Sequence, residues 1–490
     1  MNTLNLTDGY KVDHKSQYPN GTEMVYSNWT PRKSRIPKID QVTFFGLQYF
    51  IKKYLQEDFD KNFFGQPKDK VVNAYRRRIG AYLGPDAITY EHIEALHDLG
   101  YLPLEIKALP EGTSVPLRTA MFTIKNTLPE FFWLTNFFET ILSCIIWMPC
   151  TSATIAKQYR VLLDQYALET GGDPDFVPFQ AHDFSFRGMA GLEAAMMSGA
   201  GHLLNFTGTD TIPAIDFLEQ YYHAQTECEL IGASVPATEH SVMCMGTVLY
   251  EQDTFERLIT QTYPTGIVSI VSDTWDFWKV ITEYLPALKK QILNRNGKVV
   301  IRPDSGDPVK ILCGDPTAPL GTPQYKGAVE CLFETFGGTL TPTGYKLLNQ
   351  HVGLIYGDSI TLERCEEICK QLKAKGFAST NVVFGIGSYT YQYVTRDTFG
   401  FAMKATYGQV AGQGREIYKD PKTDDGTKKS ARGLLGIFED DNGKLTMRDQ
   451  LDHTEEKQGL LELVYQDGQL LKETTLQEIR ERIRAKNLVH

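Results

Sequence analysis

Hydrophobic and polar residues alternate in two different ways along the chain. Before residue 170, helix-like and strand-like periods come in separate runs, and residues 102–109 and 118–125 alternate apolar with polar side chains. A period of two predicts a pair of antiparallel strands, and runs of like elements predict an α+β region. Strand-like patterns return between residues 401 and 465, and an amphipathic helix is predicted over 474–486.

From residue 171 to residue 390, a short apolar run, a loop and a helical segment repeat in turn. The apolar runs occupy residues 179–183, 203–206, 232–235, 266–271, 298–302, 353–356 and 382–384. This alternation predicts a parallel sheet, and seven repeats predict a closed or nearly closed α/β barrel. A doubly wound open sheet is the alternative. The predicted organisation is an α/β barrel catalytic domain at 171–390 and a discontinuous α+β domain formed by 1–170 and 391–490.

The most apolar stretch of the chain covers residues 131–148. Asn136 and Glu139 interrupt it and Pro149 follows it, which predicts a buried helix rather than a membrane span, with a second helix starting at Thr151. The first ten residues have no apolar core of the signal-peptide type. We therefore expect no association with a membrane.

Charge and cysteine content restrict the classes of partner. Lys and Arg number 50 against 60 Asp and Glu, a net charge of −10, and no long basic run is present. Nucleic-acid binding is therefore not expected. The eight cysteines include no Cys-x-x-Cys pair, and Cys365 and Cys369 share a helical face without a histidine beside them. Zinc is not expected, and reduced thiols indicate a cytoplasmic location.

Polar or glycine-rich residues follow every predicted strand of the barrel. In barrels of this kind the carboxyl ends of the strands form the active-site face. Asp and Gly also favour turns, so some of this pattern is expected without any function, whereas two arginines and a histidine are not turn residues. The residues that follow the seven strands are Asp183, Phe184 and Arg187; Gly208, Thr209 and Asp210; Glu239 and His240; Ser272 and Asp273; Arg302 and Asp304; Gly357 and Asp358; and Gly385, Gly387 and Ser388.

His240 is the candidate nucleophile or proton carrier on this face. It stands where a strand is predicted to end and a helix to begin, beside Glu239, with Ser241 as a predicted N-cap. A histidine at such a place can also do no more than satisfy backbone groups at the helix start.

The remaining strand-end residues suit a phosphorylated sugar. Arg187 and Arg302 can hold phosphates in a bidentate way, and the turns at 357–358 and 385–388 can cradle a phosphate on backbone N–H groups. Phe184 offers a flat ring for stacking. The carboxylates of Asp273, Asp304 and Asp358 can bind ribose hydroxyls or hydrated magnesium, or act as helix N-caps. These residues predict a barrel enzyme that acts on a phosphorylated ribose.

The sequence also resembles the nicotinamide phosphoribosyltransferase family from about residue 4 to about residue 485. The motifs that carry the resemblance, in chain order, are Asp8–Val12, Gln17–Pro19, Phe45–Tyr49, Trp133–Asn136, His182–Phe184 with Arg187-Gly188, Asn205–Asp210, Ser234–Ser241, Val271–Asp273, Ile301–Gly306, Gly357-Asp358, Thr395–Asp397 and Lys419–Pro421. Their order over nearly the whole chain is more specific than any one of them.

The resemblance implies a fold, a reaction and an assembly. The fold is that of the type II phosphoribosyltransferases, an irregular α/β barrel with a smaller α/β domain. The reaction joins nicotinamide to phosphoribosyl pyrophosphate with magnesium and releases pyrophosphate, and ATP phosphorylates a histidine that matches His240. The implied assembly is a homodimer in which both subunits contribute to each active site.

The resemblance further implies roles for single residues. The pyridine ring would stack between Phe184 and Tyr10 of the partner subunit, and Asp210 would accept a hydrogen bond from the carboxamide. The residues implied for the donor and its phosphates are Arg187, Arg302, Asp304, Gly357, Asp358, Gly387, Ser388, Arg32, Arg396, Lys404, Lys419 and Lys428, and those implied to orient His240 are Asp273 and Glu239.

One motif departs from the family, and three other functions remain open. Animal members have a run of glycines where this chain has Gly387-Ser388-Tyr389, so a side chain enters the implied phosphate site. Nicotinate phosphoribosyltransferase is the nearest alternative function. A sugar-phosphate aldolase or isomerase needs a Schiff-base lysine, which no predicted strand end carries. A nucleotide-binding scaffold without activity is the third alternative.

Overall fold

The computed structural model describes residues 2–357, 359–419 and 431–487. The strands are β1 (Thr22–Thr30), β2 (Gln41–Thr43), β3 (Leu104–Ala108), β4 (Ser114–Pro116), β5 (Phe122–Asn126), β6 (Ala181–Asp183), β7 (Gly208–Thr209), β8 (Thr265–Val271), β9 (Asn296–Arg302), β10 (Gly338–Leu340), β11 (Lys346–Leu348), β12 (Val352–Tyr356), β13 (Val382–Ile386), β14 (Ala402–Val410), β15 (Gln413–Glu416), β16 (Leu434–Glu439), β17 (Leu445–Leu451), β18 (Glu462–Gln466) and β19 (Gln469–Leu470).

Helices lie between most of these strands, and short 3₁₀ and π-helical turns extend several of them. The α-helices are α1 (His14–Gln17), α2 (Leu47–Phe50), α3 (Lys68–Leu83), α4 (Glu91–Leu99), α5 (Leu134–Phe137), α6 (Glu139–Thr170), α7 (Leu192–Leu203), α8 (Ile212–Tyr222), α9 (His240–Met245), α10 (Glu251–Arg257), α11 (Phe277–Lys279), α12 (Leu285–Ala287), α13 (Lys289–Leu293), α14 (Pro308–Cys313), α15 (Pro323–Lys326), α16 (Ala328–Phe336), α17 (Leu362–Ala374), α18 (Ser388–Tyr391), α19 (His453–Glu456) and α20 (Leu476–Asn487).

The chain divides into two units. Unit 1 contains Met1–Thr154, Leu218–Ala224 and Val394–His490, and unit 2 contains Ile155–Phe217 and Gln225–Tyr393. The domain limits expected from the sequence, 170/171 and 390/391, stay a prediction.

An antiparallel sheet with the order β15-β14-β1-β5-β3-β18-β19 forms the centre of unit 1. The predicted antiparallel pair of strands is confirmed, since β3 pairs with β5 through Leu104↔Asn126 and Ala108↔Phe122. Side chains along β3 alternate between buried and partly exposed, as a period of two requires. Trp29 of β1 is fully buried and stacks on Phe401 at 5.4 Å between ring centroids. This aromatic packing anchors the central strands of the sheet.

A buried carboxylate fixes the turn that leads into α2. Glu111 accepts hydrogen bonds from the backbone N–H of Gly46 at 2.8 Å and of Gln48 at 2.6 Å, and from the Tyr222 hydroxyl at 2.9 Å. Gly46 has a φ of +105°, and a Cβ there would lie 2.5 Å from the ring of Pro149. Only glycine combines this backbone conformation with so close an approach.

The predicted break at Pro149 is wrong, because α6 runs through it without interruption. An interior proline removes one hydrogen bond and costs about 3 kcal/mol in an exposed helix. Ile146, Met148 and Cys150 are buried around it, so tertiary packing outweighs that penalty. α6 has the length and composition to cross a membrane, but 72% of its most apolar window is buried inside the protein, as in a core helix.

A parallel sheet with the order β7-β6-β13-β12-β9-β8 forms the centre of unit 2. The third strand, predicted at 232–235, is not a regular strand, but residues 233–237 close the sheet between its two edges. Ala233 bridges Gly208 of β7, and Ala237 bridges Ser269 of β8. The N–H of Thr209 donates to the Ala233 carbonyl at 3.0 Å, and that of Ser269 donates to the Pro236 carbonyl at 2.9 Å. The expected irregular seven-membered α/β barrel is therefore confirmed.

The second predicted strand of the barrel, 203–206, is wrong in position. Residues 192–203 form α7, and the strand is the two-residue β7 that follows. Leu203, Leu204 and Phe206 are buried, but they lie at the end of the helix and just after it rather than in the sheet. An apolar run of four residues does not by itself distinguish a buried helix end from a strand.

Glu251, the first residue of α10, makes the stability of unit 2 depend on pH. Its side chain is buried, and burial together with the nearby charge of Asp276 raises its pKa to about 7, against a smaller opposing effect of Lys279. A raised carboxyl pKa favours folding below the unfolded value of 4.5, and this contribution is lost as the pH rises through about 7. We expect Glu251→Gln to raise the melting temperature at pH 8 and to leave it nearly unchanged at pH 5. Asp253→Asn on the same helix is the control, and equal shifts at both pH values would contradict the assignment.

Candidate active site

Asp210 stands directly after β7 and is held by two side chains. The His182 Nε2 atom lies 2.8 Å from Asp210 Oδ1, and the Ser234 hydroxyl donates to the same oxygen at 2.8 Å. The Asp210 backbone N–H donates to the carbonyl of Asp183 at 2.9 Å. Burial opposes ionisation of the carboxyl, but the hydrogen bonds from His182 and Ser234 and the charge of Arg302 lower its pKa overall. The carboxylate is thus ionised and fixed in direction.

The Asp210 carboxylate faces a cavity of about 1010 Å³ in unit 2. Phe184 lies on its wall, with its ring centroid 4.7 Å from that of His182. A Cβ at Gly385 would lie 2.6 Å from the Phe184 ring, so the glycine allows the ring to lie against strand β13. Other side chains on the wall include Ser234, Arg302, Lys298 and His351. A cavity of this size with an aromatic wall and a few polar groups is typical of a small-molecule site.

Arg302, the last residue of β9, is fixed by backbone and carboxylate contacts. One terminal nitrogen donates to the Thr238 carbonyl at 2.7 Å, and Nε lies 3.5 Å from Asp304 Oδ1. A Cβ at Gly357 would lie 2.2 Å from the same Asp304 oxygen. Glycine at 357 therefore leaves room for the Asp304 carboxylate beside the guanidinium group.

His240 and Asp273 meet at the carboxyl ends of neighbouring segments of the barrel. His240 is half exposed, and its Nε2 lies 3.3 Å from Asp273 Oδ1. Asp273 Oδ2 accepts from the Asp304 backbone N–H at 2.9 Å and from the Ser305 hydroxyl at 2.5 Å. Both oxygens of this nearly buried carboxylate are engaged, so its position relative to the imidazole is well defined.

The predicted N-cap at Ser241 is wrong. Helix α9 begins at His240 itself, Glu239 is the capping residue, and no side chain caps the helix. The Ser241 hydroxyl instead donates to the Glu239 carboxylate. A serine cap needs a position one residue before the helix, and the helix starts earlier than the sequence pattern indicates.

The turn between β13 and α18 contains the predicted phosphate cradle. A Cβ at Gly387 would meet no atom within 4 Å, so the space beside this residue is open. The Ser388 side chain points at Gly188, where a Cβ would lie 2.0 Å from its hydroxyl oxygen. Gly188 ends the 3₁₀ turn Phe186–Gly188, whose middle residue is the exposed Arg187. Ser388 thus fills space that glycine at 188 leaves, and the Gly387 side of the turn stays accessible.

Unit 1 contains the other predicted phosphate-binding residues. Burial lowers the pKa of Lys404, and so does the positive charge of Arg32, Lys419 and Arg396, while Glu139 opposes them. Lys404 therefore lies within electrostatic range of the other three, and the four side chains are called the basic cluster below. Tyr10 is 64% exposed, and the Lys11 ammonium lies 5.1 Å from the centroid of its ring.

Two of the predicted site residues, Asp358 and Lys428, lie outside the residues that the structure describes. Within the described ranges, no group of three or more His, Cys, Asp or Glu side chains could hold a metal ion.

Comparison with known proteins identifies the family of this chain. The family model described as the nicotinate phosphoribosyltransferase family matches residues 179–455, and that of the nicotinamide phosphoribosyltransferase N-terminal domain matches residues 2–106. The nicotinamide phosphoribosyltransferase of Acinetobacter baylyi is 57% identical over 494 residues, which cover 99% of this chain and 97% of that protein. The one from Xanthomonas campestris is 34% identical and covers 98% and 97%. The chain belongs to the nicotinamide phosphoribosyltransferase family.

Solved structures show the same fold for more distant proteins. A nicotinate-nucleotide pyrophosphorylase from Pyrococcus furiosus superposes with a TM-score of 0.59 at 15% identity, covering 100% of this chain and 96% of that one. Human nicotinic acid phosphoribosyltransferase superposes with a TM-score of 0.53 at 15% identity, covering 98% and 93%. The family and the barrel fold expected from the sequence are confirmed, and the protein is an enzyme of the phosphoribosyltransferase class.

For this member of the family, the structure adds contacts that the sequence pattern did not predict. His182 and Ser234 occur in the quoted motifs, but no role was assigned to either, and both bind Asp210. Their position at or beside strand ends was the available signal. That both of them meet Asp210 depends on how β6, β7 and the closing segment 233–237 align.

Proposed function

We propose that this protein transfers the phosphoribosyl group of phosphoribosyl pyrophosphate to nicotinamide, forming nicotinamide mononucleotide in NAD salvage. The observation that carries the proposal is the ionised Asp210 beside Phe184 in the unit 2 cavity. The amide NH₂ of nicotinamide can donate a hydrogen bond to this carboxylate. The carboxylate of nicotinate has no hydrogen to donate, and it would place a second negative charge beside Asp210. The activity named for the 57% identical relative supports the same substrate.

The reaction breaks the bond between ribose C1 and the pyrophosphate oxygen and forms a bond from C1 to the pyridine nitrogen. Positive charge develops on the ribose and negative charge on the departing pyrophosphate, so the protein has to hold both partners in line and neutralise the leaving group. Phe184, with Tyr10 of a partner subunit, would sandwich the pyridine ring. The groups proposed to hold the donor and its phosphates are Arg187, Arg302, Asp304, Gly357, Gly387, Ser388 and the basic cluster.

Magnesium fits as an ion carried largely by the donor. Mg²⁺ keeps several waters and is held by one or two carboxylates together with substrate phosphates. Asp304 is the carboxylate proposed for this role, because its Oδ1 lies 3.5 Å from Nε of Arg302, which is proposed to hold the donor. Bound there, the ion would offset charge on the pyrophosphate.

His240 is proposed to accept the γ-phosphoryl group of ATP. With Nε2–H directed at Asp273, Nδ1 keeps its lone pair and can attack phosphorus, releasing ADP. Glu239 would add negative charge at the entry to the helix. The phosphohistidine places charge near the pyrophosphate site and would couple ATP hydrolysis to product formation.

Nicotinate phosphoribosyltransferase is the competing function, favoured by the description of the family model that matches residues 179–455. The protein is assayed with magnesium, the ribosyl donor and either nicotinamide or nicotinate. We expect kcat/KM for nicotinamide to exceed that for nicotinate by up to ~10⁴-fold, as in sites that leave a buried polar group unpaired. A preference for nicotinate would establish the competing function.

Removing the charge of Asp210 tests the residue that carries the proposal. Asp210→Asn should lower kcat/KM for nicotinamide and raise it for nicotinate, because the amide can donate to the incoming carboxylate. The ratio of the two values should fall by at least about tenfold, the equivalent of one hydrogen bond to a charged group. Asp216→Asn on α8 is a matched control. An unchanged ratio in Asp210→Asn would show that another group selects the acceptor.

The role of ATP is tested at His240. Incubation with γ-labelled ATP should place an acid-labile, base-stable phosphate on the unmutated protein and none on His240→Ala. That variant should keep slow transfer and lose the stimulation by ATP, whereas His453→Ala, at an exposed histidine of α19, should retain both. Stimulation of His240→Ala to the normal extent would disprove the phosphohistidine.

A homodimer with shared sites is proposed because Tyr10 is largely exposed, as a residue that serves another subunit would be. Tyr10→Ala and Phe184→Ala chains should each be nearly inactive. Unfolding and refolding them together should recover about a quarter of normal activity, since half of the dimers are mixed and each mixed dimer regains one intact site. No recovery, with a dimer seen by light scattering, would place Tyr10 and Phe184 in the site of one chain.

A further inference from the structure

A buried histidine and a buried tyrosine connect two strand ends of the unit 2 barrel. His202 lies in α7 and Tyr391 is the last residue of α18, and both side chains are fully buried. His202 Nδ1 lies 2.8 Å from the Tyr391 hydroxyl oxygen, and Nε2 lies 3.0 Å from the Gly208 carbonyl oxygen. Neither side chain belongs to the wall of the cavity described above.

The chemistry of the partners fixes the direction of both hydrogen bonds. A carbonyl oxygen only accepts, so His202 Nε2 carries a proton and donates it to Gly208. Burial lowers the pKa of His202 to about 4, against the opposing charge of Asp183. The ring is therefore neutral near pH 7, Nδ1 has a lone pair, and the Tyr391 hydroxyl is the donor to it. Tyr391, His202 and Gly208 form one directed chain, called the buried relay below.

Each end of the buried relay lies beside a part of the proposed site. Tyr391 is one helical turn from Gly387, and its backbone N–H bonds the Gly387 carbonyl at 3.3 Å. Gly208 is two residues before Asp210. A Cβ at Gly208 would lie 2.8 Å from Nδ1 of His182, the residue whose other nitrogen holds Asp210. A shift of the Gly208 backbone would thus disturb Asp210 through the chain and through His182.

We propose that His202 and Tyr391 are positioning residues that keep Asp210 in register with the phosphate-binding turn at Gly387-Ser388. The inference rests on the proposed function, since that function gives Asp210 the amide and Gly387-Ser388 the 5′-phosphate. Transfer needs the pyridine nitrogen to meet ribose C1 in line, and the two anchors set that distance. A displacement of about 1 Å between such anchors can lower a rate by ~10²-fold.

Tyr391→Phe removes one oxygen atom and breaks the buried relay without opening a large cavity. Tyr26→Phe is the matched control, because Tyr26 is also buried and its hydroxyl donates to a backbone carbonyl, that of Leu435 in unit 1 at 3.3 Å, and neither residue belongs to the relay or to the turn at Gly387-Ser388. Both variants are assayed with nicotinamide and with nicotinate, and their melting temperatures are measured. We expect Tyr391→Phe to lower the ratio of kcat/KM for nicotinamide to kcat/KM for nicotinate by about tenfold or more. The reason is that a displaced Asp210 would lose its hydrogen bond to the amide of nicotinamide and would repel the carboxylate of nicotinate less.

A purely structural role predicts a different result. Loss of packing alone would lower the melting temperature and reduce transfer to both acceptors equally, as expected for Tyr26→Phe. A Tyr391→Phe ratio within twofold of the unmutated value would overturn the inference while leaving the proposed function intact. An unmutated protein that does not prefer nicotinamide would overturn both. His202→Gln keeps one hydrogen-bond donor and one acceptor. Its ratio of kcat/KM values for nicotinamide and nicotinate should therefore stay closer to that of the unmutated protein than the ratio of His202→Ala.

The tautomer of the His202 ring can be measured on the unmutated protein. With ¹⁵N-labelled histidine, and the His202 signals assigned by their loss in His202→Gln or His202→Ala, His202 should appear as the neutral ring protonated at Nε2 down to about pH 5. A ring protonated at Nδ1, or one that titrates near pH 6.5, would overturn the buried relay.

Discussion

The closure of the parallel sheet by segment 233–237 is the constraint on which the site depends. β7 is two residues long and β8 lies at the other edge, so without this segment the sheet would be open. The segment is bonded to both edges, and together with the residues just after it serves three parts of the site. Ser234 holds Asp210, the carbonyl of Thr238 holds Arg302, and His240 begins α9 two residues further on.

The closure of the sheet also determines which charged side chains of the site lie together. Arg302 lowers the pKa of Asp210 and also lies beside Asp304, so one guanidinium group serves two carboxylates that follow different strands, β7 and β9. Asp273 is saturated by His240, the Asp304 backbone and Ser305. Because each of these carboxylates has fixed partners, a ligand meets charges whose direction is already set. Preorganisation of this kind is what lowers a transition-state barrier, since no partner has to rotate during the reaction.

The sequence predicted which residues would share one edge of the barrel and, through the family resemblance, that Asp273 would meet His240, but it did not predict the other contacts. Polar residues after seven apolar runs are visible in the chain, and the rule that strand carboxyl ends form one face is sufficient to group them. The contact between His182 and Asp210 requires the register His182↔Gly208, which no local pattern contains. The same holds for β7: the apolar residues 203–206 looked like the strand, but they end α7. His202 was missed altogether, because nothing in the sequence separates a buried histidine that bonds a tyrosine from one that only fills space.

The basic cluster of unit 1 differs from the site in unit 2 because its charges have one sign. In unit 2 the fixed charges of both signs lie close together, whereas Arg32, Arg396 and Lys419 all act on Lys404 with the same sign and lower its pKa, and Glu139 is the carboxylate that opposes them. Like charges held together by a fold are unfavourable in water, and an anion that binds among them removes this penalty. A donor with several phosphates, bound there as proposed, would therefore be held more tightly by the cluster than by the same cations one by one. The affinity of such a cluster for its anion falls as ionic strength rises, because screening weakens the attraction to the ligand together with the repulsion among the cations.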